Sequence, residues 1–325
     1  MKLATYKDGS RDGQLVVVSR DLTQAHYASH IANRLQQVLD DWNFLSPQLQ
    51  DIFDALNAGR ARHAFAFEPA QCMAPLPRAY QCVVASAYPS HAALLGSAAD
   101  AAFVQRAGDA LLGAHDALPC ASEALGLDFA AGVALISGDI PQGCAADRAL
   151  DGVRLLMLCN ALTLRNLSGT DGVSGPQGHV ATAFSPVAIT PDELGDSWSR
   201  GKLQLQMQCS WNGRRVGMAD AGADMGQHFG ELLAALARTR ALRAGSILAA
   251  APLSNAGVEK RGQWSWPKGY NSIAEKRAME LRQDGQAATE YMRFGDTVRI
   301  DMKDAAGHSL FGAIEQEMTD LHATV

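Results

Sequence analysis

One dipeptide constrains this chain more than any other feature: Asn212-Gly213, set between the strand-like runs 203–211 and 214–217. Asn-Gly between two such runs is the strongest short hairpin signal, because both turn positions need the left-handed backbone that Asn and Gly tolerate. A second hairpin is predicted where Thr297–Met302 and residues 309–315 flank Asp304-Ala-Ala-Gly307. Gln14–Val18 reads as a further strand behind an Asp-Gly turn. Helical signals are fewer. Leu22, Ala25, Ile31, Leu35, Val38, Leu39 and Trp42 fall at helical spacing. Ser46 then suits an N-cap with Pro47 at the first helical position, Leu49, Ile52, Phe53 and Leu56 form one face, and Gly59 stands where a C-terminal glycine belongs. Two more helices are expected over 146–161 and 224–242. Leu232, Leu233, Leu236 and Ala237 form the apolar side of the second, with Gly245 beyond it.

Many strands with few helices give an α+β fold with a mostly antiparallel or mixed β body. Pro69, Pro75 and Pro77 mark a joint, dividing a small α+β N-terminal module (1–75) from the body (76–325). At 325 residues, the chain is one large domain or two of ordinary size. A net charge of −6 with no basic block excludes nucleic acid as the main partner, since phosphate neutralisation needs clustered cations. The longest apolar runs, such as 155–159, are too short to cross a bilayer. No secretory signal is visible at the start, and the cysteines at 72, 82, 120, 144, 159 and 209 show no Cys-x-x-Cys spacing. Free thiols and a cytoplasmic setting are therefore expected.

Several motifs carry less than they suggest. Glycines 169, 172, 175 and 178 lack the Gly-Lys-Ser/Thr ending of a phosphate loop and read as a flexible surface loop. His26 and His30, one helical turn apart, have metal-ligand spacing but no evident third ligand. Asn166-Leu-Ser168 matches a glycosylation acceptor, which has no meaning without a signal peptide. Trp264 and Trp266 alternate, which puts both rings on one side of a strand or loop, for packing or as a ligand lid.

An ordered set of segments resembles the fumarylacetoacetate hydrolase family: Leu155-Leu-Met-Leu-Cys-Asn160 with Leu164-Arg-Asn166, Ala181-Thr-Ala-Phe-Ser-Pro186, Gly269-Tyr-Asn-Ser-Ile-Ala-Glu-Lys-Arg277 and Phe294-Gly-Asp-Thr-Val298. They span most of residues 80–315, and the N-terminal module resembles the one preceding this body in bacterial two-domain members. The resemblance implies a β-rich, usually dimeric fold. It also implies Mg²⁺ or Ca²⁺ held by four carboxylates, gripping the keto and enol oxygens of a small-molecule carbonyl or carboxylate metabolite. A His/Glu pair then activates water to split a carbon–carbon bond. The chemistry is coherent: a hard cation takes oxygen ligands and stabilises the enolate that leaves.

Carried onto this chain, the four ligand positions fall at Val84, Ala130, Gly132 and Ala161. None of these side chains can coordinate a cation, so no metal and no cofactor are expected. The acid/base pair survives as His91, in Tyr88-Pro-Ser-His91, and Glu275. Arg165 matches a family active-site arginine, and His179 stands where the family places a substrate-contacting lysine. The substrate-binding Gly/Thr turn has become Ala249-Ala-Ala-Pro252. Two readings stay open. One is an enzyme turned to metal-independent proton abstraction, isomerisation, cyclisation, elimination or hydrolysis at an activated carbonyl, set in specialised biosynthesis. The other is a catalytically silent homologue serving as a binding or scaffold subunit. Drift should erase His91 and Glu275 as readily as the ligands, and their retention favours the enzyme.

Overall fold

A computed structural model describes residues 1–96, 103–109, 111–167 and 176–323. β1 (Lys2–Tyr6) and β2 (Gln14–Val18) pair antiparallel, with Lys2 opposite Val18. β3 (Gln24–Tyr27) joins β2, so the helix expected from Leu22 onward begins only later. Turn chemistry overrides the periodicity there: Asp21 accepts from the Ser19 hydroxyl at 2.6 Å and the Thr23 amide at 3.1 Å, and Leu22 turns at φ +61°. His26 therefore lies on a strand and His30 beyond it, and the helical metal spacing does not exist.

α1 (Leu35–Asp40) and α2 (Trp42–Asn57) follow. α2 starts before Ser46, so Ser46 is not its cap and Pro47 falls inside the helix. There the proline removes one intrahelical donor, a loss offset by burial of Leu49 and Phe53, each worth about 1.5–3 kcal/mol. Gly59 follows the C-cap at φ +67°, as expected.

After β4 (Phe65–Ala66) come β5 (Gln81–Ala85), α3 (Pro89–Leu95), β6 (Phe103–Arg106), β7 (Leu111–Leu112), β8 (Leu118–Cys120), β9 (Leu127–Asp128) and β10 (Ala131–Ser137). The helix expected over 146–161 is only α4 (Ala146–Leu150); the rest is β11 (Val153–Leu164). Eleven of the twelve β11 residues are buried, so the strand lacks the polar face that would have revealed its period. β12 (Ala181–Phe184), β13 (Ala188–Ile189) and the short pair β14 (Trp198–Ser199) and β15 (Lys202–Leu203) come next.

The Asn-Gly hairpin forms as β16 (Gln206–Trp211) and β17 (Arg214–Asp220), with φ +50° at Asn212 and +72° at Gly213. α5 (Phe229–Leu236) is shorter than expected because a capping box starts it: Nδ1 of His228 accepts from the Gly230 amide, and Glu231 accepts from the His228 amide. β18 (Ser246–Ala250), β19 (Val258–Lys260), β20 (Gln263–Ser265) and α6 (Ile273–Asp284) lead to β21 (Thr297–Met302) and β22 (Ile314–Asp320). β22 lies later than the expected 309–315. Asp304 closes a turn on the amides of Ala306 and His308, which delays the pairing.

A 13-stranded sheet runs β4-β3-β2-β1-β13-β11-β10-β18-β5-β6, with β12 and β9 also on β11 and β7 on β12. A five-stranded sheet runs β17-β16-β21-β22-β8. Most pairings are antiparallel; β18–β5, β12–β7 and β22–β8 are parallel. One apolar core contains Phe129, Met207 and Ile300, between the two sheets; another, on the opposite face of the large sheet, runs from α1 and α2 to Val84 and Ala161. Of the glycine-rich segment, residues 169–175 lie outside the described residues, and Gly178 ends a 3-10 turn.

Candidate active site

α3 and α6 bring His91 and Glu275 together. α3 begins with Tyr88 as N-cap and Pro89 at the first helical position, and ends at Gly96 in the left-handed conformation. It is pinned by the buried Tyr88 hydroxyl, which donates to the Ala221 carbonyl at 2.8 Å, and by Ser90, which donates to the Ser254 carbonyl at 3.2 Å. The start of α6 is set by a close backbone approach. Gly269, at φ +71°, bridges Gly217 on β17, and a Cβ at Gly269 would lie 2.0 Å from the Val216 carbonyl oxygen. Only glycine permits that contact.

Nδ1 of His91 lies 3.0 Å from Oε1 of Glu275, 184 residues away in sequence. His91 is 8% exposed and Glu275 1%. The second oxygen of Glu275 accepts the Asn271 amide at 2.9 Å, which fixes the carboxylate plane. A carboxylate at Nδ1 selects the tautomer with the proton there and leaves Nε2 as the basic nitrogen.

The first amides of α6 are all occupied. Ser272 Oγ accepts the Glu275 amide, while Asp128 accepts the Ile273 amide at 2.6 Å and the Ala274 amide at 3.3 Å. Asp128 also binds Arg165, Nε to Oδ2 at 2.9 Å. Burial pushes the Asp128 carboxyl upward, against the pull of Arg165 and the amides. This residue, passed over in sequence, ties Arg165 to the helix that carries Glu275. His179 lies between the 3-10 turn and β12.

Val84, Ala130 and Ala161 belong to one buried cluster on a single face of the large sheet, and Gly132 is two residues along from Ala130. Asn160 fixes the Ala130 backbone, its Oδ1 accepting the Ala130 amide at 3.1 Å, and the Ala161 amide donates to the Ala130 carbonyl at 2.9 Å. At Gly132 there is no room for a side chain: a Cβ would lie 2.3 Å from the Ala250 carbonyl oxygen and 2.6 Å from the Ala251 Cβ.

Residues 81–319 match the fumarylacetoacetate (FAA) hydrolase C-terminal family, and residues 1–78 match fumarylacetoacetase N-terminal domain 2. The chain belongs to the fumarylacetoacetate hydrolase family. Among solved structures it is similar to fumarylacetoacetate hydrolase from psychrophilic Exiguobacterium antarcticum, at 15% identity and a TM-score of 0.67, covering 98% of this chain and 99% of that one. It is similar to maleylpyruvate hydrolase from Sphingobium sp. SYK-6, in complex with manganese(II) and pyruvate, at 16% identity, a TM-score of 0.66 and 98% and 99% coverage. It is also similar to 5-carboxymethyl-2-hydroxymuconate delta-isomerase from Mycobacterium smegmatis, at 15%, 0.59, 98% and 99%. These likenesses show the fold. No curated protein matches the chain.

The residues present do not fit the divalent ion of the fumarylacetoacetate hydrolase family. Of the four positions that the resemblance assigns as ligands, three carry aliphatic side chains and the fourth is closed by β18, and among the described residues no three His, Cys, Asp or Glu side chains converge. A different cation stands on the same sheet face. Arg106 is opposite Cys82, one pleat repeat from Val84, and its guanidinium reaches Thr163 Oγ1 at 3.0 Å, one pleat repeat from Ala161. It also donates to the Leu162 carbonyl at 2.6 Å, and burial lowers its pKa to about 10. Among the described residues it has no carboxylate partner. A single arginine in a short strand carries no sequence signal, and only the curl of the sheet brings it to β11.

Proposed function

We propose that this chain is an acid/base enzyme acting, without the family's divalent ion, on a small enolisable carbonyl or carboxylate metabolite. The observation that carries the reading is the buried His91–Glu275 contact, with both carboxylate oxygens engaged. His91 removes a proton next to a carbonyl through Nε2. Glu275 holds the tautomer and stabilises the imidazolium, while Arg165 and His179 meet the oxyanion or carboxylate. Isomerisation, cyclisation and elimination begin from such a step, the same base taking a proton from water would serve hydrolysis of an activated carbonyl, and the fold's relatives include both isomerases and hydrolases by name. We further propose a homodimer in a cytoplasmic setting, with no nucleic-acid or membrane partner; no helix among the described residues is long and apolar enough to cross a membrane.

The test is hydrogen–deuterium exchange. Pyruvate, 2-oxobutyrate and acetoacetate are incubated in D₂O with EDTA present, and loss of the C–H signal next to the carbonyl is followed by NMR. Exchange above buffer, reduced about 10²–10⁴-fold in His91→Ala, is expected. Equal exchange by the two proteins would sink the reading. A silent binding or scaffold homologue is the second reading, favoured by the closed position at Gly132. It predicts no exchange from either protein with any of these acids.

A further inference from the structure

The groove between α3 and α6 has a chemistry that the dyad does not use. It opens into a cleft of about 780 Å³ whose lining includes Arg165, Arg277 and Arg282 and no acidic residue. Leu94 and Leu95 form its α3 wall, and Ala278 and Leu281 its α6 wall. Leu94 and Leu95 follow His91 by one helical turn, and Ala278 follows Glu275 by the same step. The cleft therefore runs along the helix faces that carry the dyad.

Two of the three guanidiniums are held by aromatic rings. Arg277 sits 5.0 Å from the Tyr291 ring centre and donates to the Thr289 carbonyl. Arg282 lies 3.8 Å over Trp264, which is stacked on Trp266 at 6.0 Å, and Gln283 docks that hairpin on α6 through the Trp264 carbonyl at 2.9 Å. Stacking occupies the face of a guanidinium and leaves its in-plane N–H edge for an acceptor. Of the carboxylates closest in sequence, Glu275 is engaged with His91 and Asn271 and Glu280 with Lys276 and Thr289, and among the described residues Asp284 forms no ion pair with Arg282. Arg165 is already paired with Asp128, so Arg277 and Arg282 carry the uncompensated charge. Beside them stand apolar side chains open to solvent: Leu95 is 38% exposed and Leu281 54%.

We infer that this cleft binds an organic acid with an extended hydrocarbon body, its carboxylate met by Arg277 and Arg282 and its chain laid on Leu94, Leu95 and Leu281. The identity of that acid as the substrate rests on the acid/base reading of His91 and Glu275; the binding itself does not. Aromatic stacking of Arg282 on Trp264 gives binding a signal, since an anion drawn to that guanidinium alters the indole's surroundings.

The experiment titrates the full-length protein with straight-chain carboxylates from acetate to decanoate, below their micelle concentrations and at constant ionic strength. Binding is followed by tryptophan fluorescence and calorimetry. Affinity should rise by up to about fourfold per added methylene, the equivalent of about 0.8 kcal/mol per buried CH₂. The double variant Arg277→Gln/Arg282→Gln should lose at least tenfold in decanoate affinity, and Leu281→Ser should flatten the dependence on chain length. Leu281 and Arg282 are exposed, so Leu281→Ser and the single variant Arg282→Gln should keep the wild-type melting temperature. Affinity independent of chain length, decanoate binding unchanged in the double variant, or binding to phosphatidylglycerol vesicles without binding to free acids would each overturn the inference. Decanoate binding that survives His91→Ala, with no deuterium exchange on any keto acid, would uphold the cleft while removing the enzyme reading.

Discussion

At the scale of single residues, the proposed acid/base role divides the labour of the His91–Glu275 pair: His91 would hold the lone pair, and Glu275 the ring. Under the acid/base reading, Glu275→Gln should slow turnover no more than His91→Ala does, because it removes support for the base and not the base. Single-turnover or exchange kinetics on both variants check this; a larger loss in Glu275→Gln would assign the proton transfer to the carboxylate instead. Gly132 acts through space alone. Its substitution by alanine should destabilise the fold by about 1–3 kcal/mol, since the new Cβ meets backbone and a neighbouring Cβ in a packed sheet. Guanidinium denaturation with an unchanged midpoint would show that β10 and β18 are not locked together there.

Elements show how the site is held. α6 is fastened at both ends: Asp128 and Ser272 satisfy its first amides, and Glu280 binds the following loop. Burial by itself would raise the Glu280 carboxyl, but the Thr289 hydroxyl and amide, the Ala288 amide and Lys276 outweigh it and hold the group at about 2. A carboxylate depressed in the folded state contributes stability that is fully present above its ordinary value of 4.5 and is lost as pH falls toward 2. Urea denaturation from pH 6 downward should therefore show stability falling less steeply below about pH 4.5 in Glu280→Gln than in the wild type. Identical slopes would mean that Glu280 keeps its proton equilibrium on unfolding. Elements also show where sequence patterns mislead. β11 passes for part of a helix in sequence because 155–159 is apolar without a break, and a strand buried on both faces has no period to display. β3 passes for helix because its apolar positions fit the helical spacing, while the Ser19–Asp21–Thr23 turn, a purely local device, redirects the chain.

For the molecule as a whole, the proposed metal-free chemistry and dimer give two plain measurements. A ligand bound only by the folded state raises stability by about 2.7 kcal/mol at a hundred times its dissociation constant. Millimolar Mg²⁺, Ca²⁺ or Mn²⁺ should leave the melting temperature where KCl of equal ionic strength leaves it; a rise reversed by EDTA would show that the chain binds a divalent ion after all. Light scattering should give twice the 34.5 kDa mass of one chain at micromolar concentration. A mass of one chain would remove the dimer from the proposal.

The residues alone determined the β-rich class, the Asn212-Gly213 hairpin and the family, and they singled out His91 and Glu275 as candidates, because each is written in contiguous patterns or in residue types that chemistry cannot exchange. Their juxtaposition was not legible, since 184 residues separate them and no local rule spans that distance. Nor were the roles of Asp128 and Arg106, which look like ordinary charged residues until the sheet curls. Asp128 matters because folding sets it under the start of α6, and Arg106 because β6 lies within reach of β11. The closing of Gly132 is of the same kind: a glycine in sequence is only a missing side chain, and the approach of Ala250 and Ala251 decides that none can be added.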